Sequence, residues 1–541
     1  MLKRPLSLAL TNAVIALWLV LTANLGFFQR LWQLTPQTGL MAGAFFAVNV
    51  LLLLLLLVLA LNLLTWRWLA RPVQGFILLA AALTAYFIDS FGTGIDRGQI
   101  QNLMETDWRE ARDLMTFHFG WRVTLFGLLP LFWLWMRPVH HEPFWPMLKA
   151  KLAWSGGSLA LILALGLAFY GSFAPFYREH RELKNCMTPI NSIGGLVSYL
   201  RKHYQPVARP VQPWGTDARR DPPPAGQKPT LLVLVVGETA RAQSFGLNGS
   251  QPDTTPELAR RGVVNYTQTS SCGTATAVSV PCLFSGMPRS DYDPDTAKTR
   301  QGLLDILQRA GYRVSWFDNN SGCKGACDRI ENVPLLAERR PQWCRDNECQ
   351  DGLLVDTLAQ WLPVQPVQDR VVVLHQMGSH GPAYYRRYPD QFRRFTPTCD
   401  TNEIQKCERQ HLINTYNNTI LYTDHVLAQL IDQLAADPRY QSALWYVSDH
   451  GESTGEKGLY LHGAPYLFAP AEQTRVPMVT WLSADFKASH PRLDACLRAQ
   501  ATQPTSHDHL FHSLLGLLNV QTVVKNPALD LTATCSAAPQ P

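Results

Sequence analysis

Three short segments place residues of metal-ligand type at the ends of apolar, β-branched runs. Residues 231–236 lead into Gly237-Glu238-Thr239, residues 370–374 into His375-Gln376-Met377-Gly378-Ser379-His380, and residues 444–447 into Ser448-Asp449-His450-Gly451-Glu452. Such runs read as buried parallel strands, and open α/β sheets bind ligands beyond the carboxyl ends of their strands. The pattern therefore delivers Glu238, His375, His380, Asp449, His450 and Glu452 to one edge of a sheet. Two carboxylates and an imidazole suit Zn²⁺, which takes nitrogen, sulfur and carboxylate ligands. One Asp-His pair alone is more often a surface loop. Three strand-terminal clusters together read as a functional edge.

A hydroxyl beside such a metal would carry out phosphoryl transfer. The candidate stretch is 270–282, Ser-Ser-Cys-Gly-Thr-Ala-Thr-Ala-Val-Ser-Val-Pro-Cys, small in side chain and bounded by two cysteines. Gly273 permits a tight turn, and the residues after it can open a helix whose first N–H groups favour a phosphate. Several hydroxyls compete here, and spacing alone does not choose among them.

These motifs need a scaffold, and the second half of the chain supplies an alternating pattern. A helix over 301–309 precedes a strand at 312–317, a helix over Gly352–Trp361 precedes 370–374, and a helix over 410–435 precedes 443–447. That rhythm predicts an α/β domain with a mainly parallel central sheet. Ahead of it, residues 205–229 contain Pro206, Pro210, Pro213 and Pro222 to Pro224, lack periodicity, and read as a linker.

The first third is different. Five apolar stretches stand out, at about 7–28, 40–64, 72–91, 122–136 and 152–174, against a requirement of roughly 20 residues per membrane helix. Lys3, Arg4, Arg67, Arg71, Arg137, Lys149 and Lys151 mark the cytoplasmic sides, with Arg30 an exception. No small-residue cleavage site follows the first stretch, which argues against a removed signal peptide. Five helices with an inside N-terminus put everything after about residue 175 outside the cytoplasm. The expected organisation is a transmembrane domain over 1–175, a connecting segment over 176–228 and a catalytic domain over 229–541.

Cysteine usage agrees with that side assignment. None of the 11 cysteines lies in the first 185 residues, and close pairs occur at Cys272 and Cys282, Cys323 and Cys327, Cys344 and Cys349, and Cys399 and Cys407. Short disulfide-closed loops suit an oxidising compartment, whereas a zinc knuckle from Cys323, Cys327, Cys344 and Cys349 would belong in the cytosol. Cys496 with Cys535 is a further candidate pair, leaving Cys186 over. A net charge of +6 is modest and gives no case for nucleic acid.

The segments from 237 to 242, 271 to 282, 318 to 321, 375 to 382 and 447 to 453 together resemble the lipid A phosphoethanolamine transferases. That family includes the mobile colistin-resistance enzymes and belongs to the alkaline phosphatase/sulfatase superfamily. The resemblance covers nearly the whole chain. It implies Thr276 as the nucleophile that becomes phosphoethanolamine-modified, with zinc held by Glu238, Thr276, Asp449 and His450. His375, His380, Glu452 and His462 match a substrate-side group that would hold a second zinc if one binds during turnover. Lys324 matches a phosphate contact, and Asn102 and Glu110 match residues implicated in lipid binding. It further implies an inner-membrane enzyme that takes phosphoethanolamine from phosphatidylethanolamine and gives it to lipid A, conferring polymyxin resistance. The expected protein is a monomer with its catalytic domain in the periplasm. Residues 100–108, with Met104 and Trp108 on a mixed face, suit the membrane interface. Transfer to an inner-core Kdo or heptose of lipopolysaccharide is the alternative acceptor. A membrane-anchored phosphatase or sulfatase would not need a lipid-binding platform, and a non-catalytic zinc module would not need a hydroxyl beside the metal.

Overall fold

The computed structural model describes residues 6–35, 39–105, 108–136, 143–203, 210–224, 226–335, 341–345 and 348–535. Lys3, Arg4, Arg137 and Pro206 lie outside the described residues, as does the side chain of Glu110. The chain forms two compact units. One comprises Met1–Leu103 and Leu114–Gln205, the other Met104–Asp113 and Pro206–Pro541.

The first unit is helical. Gly39–Leu64, Arg67–Phe91, Phe117–Met136 and Phe144–Ala168 are each long and apolar enough to cross a membrane. Leu8–Ala23 and Leu25–Leu34 form a pair bent by 63°, so the described residues hold four helices of spanning length, or five if the bent pair crosses as one. The bend falls at Asn24. Its side-chain amide donates to Leu19 O at 3.0 Å and Thr188 O at 2.9 Å, and its Oδ1 accepts from Thr188 N at 2.9 Å. A side chain that competes for backbone partners in this way interrupts a helix. The last apolar stretch also differs from its expected limits, because the helix starts at Phe144 and breaks at Phe169, before a second helix at Tyr170–Glu179. Asn12 ties the helices together within their buried interior. It donates to Asn62 Oδ1 at 2.8 Å and Thr65 Oγ1 at 2.9 Å and accepts from Gln74 at 2.8 Å, as polar side chains do where no water is present to satisfy them.

The second unit is built on a main sheet of eight strands among the described residues. In chain order they are β1 (Thr230–Gly237), β2 (Val264–Ser270), β3 (Arg313–Asp318), β4 (Glu331–Val333), β5 (Arg370–His375), β6 (Gln441–Ser448), β7 (Arg475–Leu482) and β8 (Thr505–Ser506). Their spatial order is β8-β2-β7-β6-β1-β5-β3-β4. β1 pairs in parallel with β5 and β6, β5 with β3, β3 with β4, and β8 with β2, while β7 runs antiparallel to both neighbours. The three central strands are buried on both faces, which is why they read as unbroken apolar runs and not as alternating ones. Full burial of each Leu or Val side chain there contributes about 1.5–3 kcal/mol. The 28-residue helix Arg409–Ala436 packs against this layer with most of its length buried.

Five disulfides lie in this unit: Cys272–Cys282, Cys323–Cys327, Cys344–Cys349, Cys399–Cys407 and Cys496–Cys535. The pairing consumes the thiolates that a zinc knuckle would need. Cys186 is buried and forms no disulfide, and its Sγ accepts from Arg30 Nη1 at 3.2 Å.

Candidate active site

Strand register brings the site residues to one line. Val236 of β1 pairs with His375 of β5, Gly237 of β1 with Ser448 of β6, and Asp318 of β3 with His375. The chain leaves β1 at Glu238 and β6 at Asp449, so both carboxylates emerge side by side. Gly378 lets the loop after β5 close over them. A Cβ there would stand 2.5 Å from Glu238 O, and its φ is +53°, a conformation that favours glycine.

Glu238, Asp449 and His450 form a buried cluster whose ligand atoms all lie within 4.8 Å of one another. Asp449 Oδ1 accepts from Thr239 N at 3.1 Å and from His450 N at 2.7 Å. Its Oδ2 accepts no hydrogen bond and lies 3.3 Å from His450 Nε2. His450 uses Nδ1 on Gly451 O at 2.9 Å, so Nε2 is the atom that faces the carboxylates. Asn320 donates to Glu238 Oε2 at 2.8 Å, and Thr239 Oγ1 donates to Oε1. Two carboxylates confront one imidazole in a water-excluded space. Burial and the Glu238 charge push Asp449 up to about 7. Burial opposes the charging of His450, but Asp449 and Glu238 outweigh it and raise the ring to about 10. Glu238 is held well below the usual carboxylate range because its bond to His450 and the charge there exceed the effect of burial. Excess negative charge, an orphaned buried oxygen and an N/O donor set suit the cluster to a metal ion.

Thr276 opens the helix Thr276–Ser285. Its hydroxyl lies 3.1 and 3.3 Å from the Glu238 oxygens and 3.3 Å from His450 Nε2. The competing hydroxyls are engaged elsewhere: Ser271 donates to Gly273 O, Thr274 to Ala464 O, and Ser279 accepts from Gly273 N. Contacts that the sequence could not reveal thus separate Thr276 from its neighbours.

The other candidates do not all lie together. His380, His450 and His462 form a row, with ring centroids 5.6 Å apart between His380 and His462 and 4.4 Å between His450 and His462. His462 Nδ1 lies 2.9 Å from Glu452 Oε2, whose other oxygen accepts from Tyr384 OH. Burial pushes Glu452 up to about 8. His375 is not in this row. It is fully buried on β5, its Nδ1 3.1 Å from Asp318 Oδ2, and its Nε2 has no hydrogen-bond partner. Lys324, with φ +52°, donates to Ser321 O and Oγ at 3.0 Å and to Glu105 O at 3.4 Å. Asn102 lies on the helix Arg97–Glu105.

Several organising residues carried no local signal. Asp351 accepts from Met377 N at 2.8 Å and Gly378 N at 2.9 Å, fixing the loop after β5. Arg387 donates to His380 O at 2.8 Å and Glu348 at 2.8 Å and lies 3.4 Å from Asp113. His507 takes Cys272 N on Nδ1 at 3.1 Å and gives its Nε2 proton to Ser448 O at 2.9 Å. It therefore spans the loop before Thr276 and the strand end before Asp449, and burial holds it down to about 3.

A mainly parallel sheet with a carboxylate–imidazole cluster and a helix-opening hydroxyl at its strand ends defines the alkaline phosphatase/sulfatase class, and the Sulfatase family matches residues 230–520. Residues 51–204 match the family described as Phosphoethanolamine transferase EptA/EptB. The chain is 40% identical over 547 residues to Phosphoethanolamine transferase EptA of Escherichia coli (strain K12), covering 99% of this chain and 98% of that one. It is 38% identical over 517 residues to Phosphatidylethanolamine transferase Mcr-1 of Escherichia coli, covering 93% and 95%. The solved integral membrane protein lipooligosaccharide phosphoethanolamine transferase A (EptA) from Neisseria meningitidis superimposes with a TM-score of 0.94 at 36% identity, covering 97% and 98%. The chain belongs to the phosphoethanolamine transferase family. It is a multi-pass inner-membrane enzyme whose catalytic domain is periplasmic.

Proposed function

We infer that the enzyme moves phosphoethanolamine from phosphatidylethanolamine to lipid A through a covalent intermediate on Thr276, and that this modification confers polymyxin resistance. The observation that carries the reading is the Thr276 hydroxyl, set within 3.3 Å of both Glu238 and His450. The printed names of the relatives, a phosphatidylethanolamine transferase and a lipooligosaccharide transferase, support the donor and the class of acceptor.

Zinc held by Glu238, Thr276, Asp449 and His450 would supply positive charge that favours the deprotonated hydroxyl and offsets charge on the phosphoryl group. Thr276 Oγ1 forms a bond to phosphorus while the phosphorus–oxygen bond to diacylglycerol breaks and that oxygen takes a proton. An oxygen of the acceptor then attacks the same phosphorus and releases Thr276. Splitting one transfer into two lowers the barrier of each. His380, Glu452 and His462 line the substrate side, and Lys324 and the N-terminus of the Thr276–Ser285 helix favour the anionic group. Residues 1–175 hold the enzyme where both lipids lie, with Asn102 and Glu110 on the lipid path; 176–228 connect them to the catalytic domain, 229–541.

Transfer tests the reading. Thr276→Ala removes a hydroxyl and one methyl group at the first position of its helix, a small loss that should keep the fold while abolishing modification of lipopolysaccharide, read by mass spectrometry from a host expressing the chain. Intact-mass measurement should find a phosphoethanolamine adduct on the wild type and none on the variant. An adduct on Thr274 or Ser279 would overturn the assignment.

A further inference from the structure

One carboxylate, Asp318, stands between two parts of the site. It ends β3 directly opposite His375. Its Oδ1 accepts from Asn320 N at 2.9 Å and Gly322 N at 3.1 Å. Its Oδ2 accepts from Trp316 Nε1 at 2.7 Å and pairs with His375 Nδ1 at 3.1 Å. A carboxylate only accepts, so Nδ1 of His375 is the donor. The ring packs edge-on to Trp316, with centroids 5.6 Å apart, and its Nε2 is left buried without a hydrogen-bond partner. On the other side of Asp318, the turn it closes presents Asn320, which donates to Glu238 Oε2 and to Gln376 O, both at 2.8 Å. The same turn leads on to Lys324.

We propose that Asp318 is a positioning residue whose two oxygens do separate tasks: Oδ1 folds the loop that carries Asn320, and Oδ2 fixes the His375 ring so that an unprotonated Nε2 is offered to the zinc and phosphate side of the site. The inference rests on the zinc-dependent reading above. Imidazoles that serve as ligands or acceptors commonly donate their other N–H to a carboxylate, which sets tautomer and ring orientation and raises basicity. The separation of tasks makes the proposal testable. Asp318→Asn keeps an oxygen for the Asn320 and Gly322 N–H groups, but puts an NH₂ where His375 Nδ1 needs an acceptor. The neutral ring then accepts on Nδ1 and carries its proton on Nε2, so the nitrogen that is buried without a partner becomes a donor.

The experiment uses the full chain in detergent, with zinc alone as the titrant against a chromophoric chelator, intact mass to follow Thr276 modification, and thermal melting as a control for folding. In folded Asp318→Asn, zinc affinity, the rate of Thr276 modification or both should fall about 10- to 100-fold. In the His375→Ala background the same change should cause no further loss, because the two residues act through one bond. A folded Asp318→Asn with wild-type zinc affinity and rate overturns the proposal, as does a loss that adds in full to that of His375→Ala. Should Asp318→Asn not fold, Asp318→Ser takes its place under the same criteria; its hydroxyl serves the turn but does not reach the ring. Thr276→Ala accompanies every set. An adduct or transfer persisting there fails the reading of the reaction, whereas an inactive Thr276→Ala beside a wild-type-like Asp318→Asn fails this inference alone.

Discussion

Asp449 commits one oxygen to two backbone N–H groups and leaves the other without a donor, so its loss should be felt by a cation before it is felt by the fold. Asp449→Ala should lower bound zinc and transfer together, transfer by about 100-fold or more, as metal analysis and lipid mass spectrometry would register. Activity that survived exhaustive chelation would remove zinc from the account. Glu452 sits elsewhere, between Tyr384 and His462. Glu452→Gln should therefore depress transfer while zinc at Glu238, Asp449 and His450 is retained. At this scale the sequence was legible where a residue followed a β-branched run, as Glu238 and Asp449 do. It was silent for Asp351, Tyr384 and His507, whose partners lie far along the chain and whose own flanks are ordinary. The choice of Thr276 needed the resemblance, because what excludes Thr274 is a carbonyl 190 residues away.

Strands and loops carry a second set of consequences. Gly378→Ala would press a methyl group onto Glu238 O, and steric crowding with a left-handed backbone should cost roughly 2–4 kcal/mol, readable as a lowered melting temperature of the catalytic domain. His507 gives a pH signature. Its folded value of about 3 lies below the ordinary value of 6.5, so between these limits the unfolded chain binds a proton that the folded chain does not. Stability is present above pH 6.5 and is lost as pH falls towards 3, by up to about 1.4 kcal/mol per unit. His507→Gln should flatten the melting-temperature slope between pH 6.5 and 5; an unchanged slope would assign the acid sensitivity to other groups. The α/β alternation was readable because each central strand is buried on both faces. The bend at Asn24 was not, since Leu8–Ala23 and Leu25–Leu34 together have the composition of one apolar stretch.

The whole molecule tests the role of the membrane unit. A soluble piece beginning at Lys228 retains the sheet and the carboxylate–imidazole cluster, but lacks Asn102, Glu110 and the segment around them. It should fold, bind zinc and attack small phosphoethanolamine esters, yet fail to modify lipid A in cells, because tethering sets both the effective concentration and the orientation of a bilayer-embedded head group. Equal lipid modification by the soluble piece would reduce residues 1–175 to an anchor. Met104–Asp113, grouped with the catalytic unit, adds a matter of timing. At about 5–20 residues per second, Asp113 leaves the ribosome roughly 20–80 s before β8. Its partners Arg387 and Asn402 are made only late in that interval. The peptide must wait beside a membrane without them, and Glu105, Asp107, Glu110 and Asp113 suit it to wait in water. The catalytic unit is thus begun early in synthesis, and its main sheet is completed only by β8.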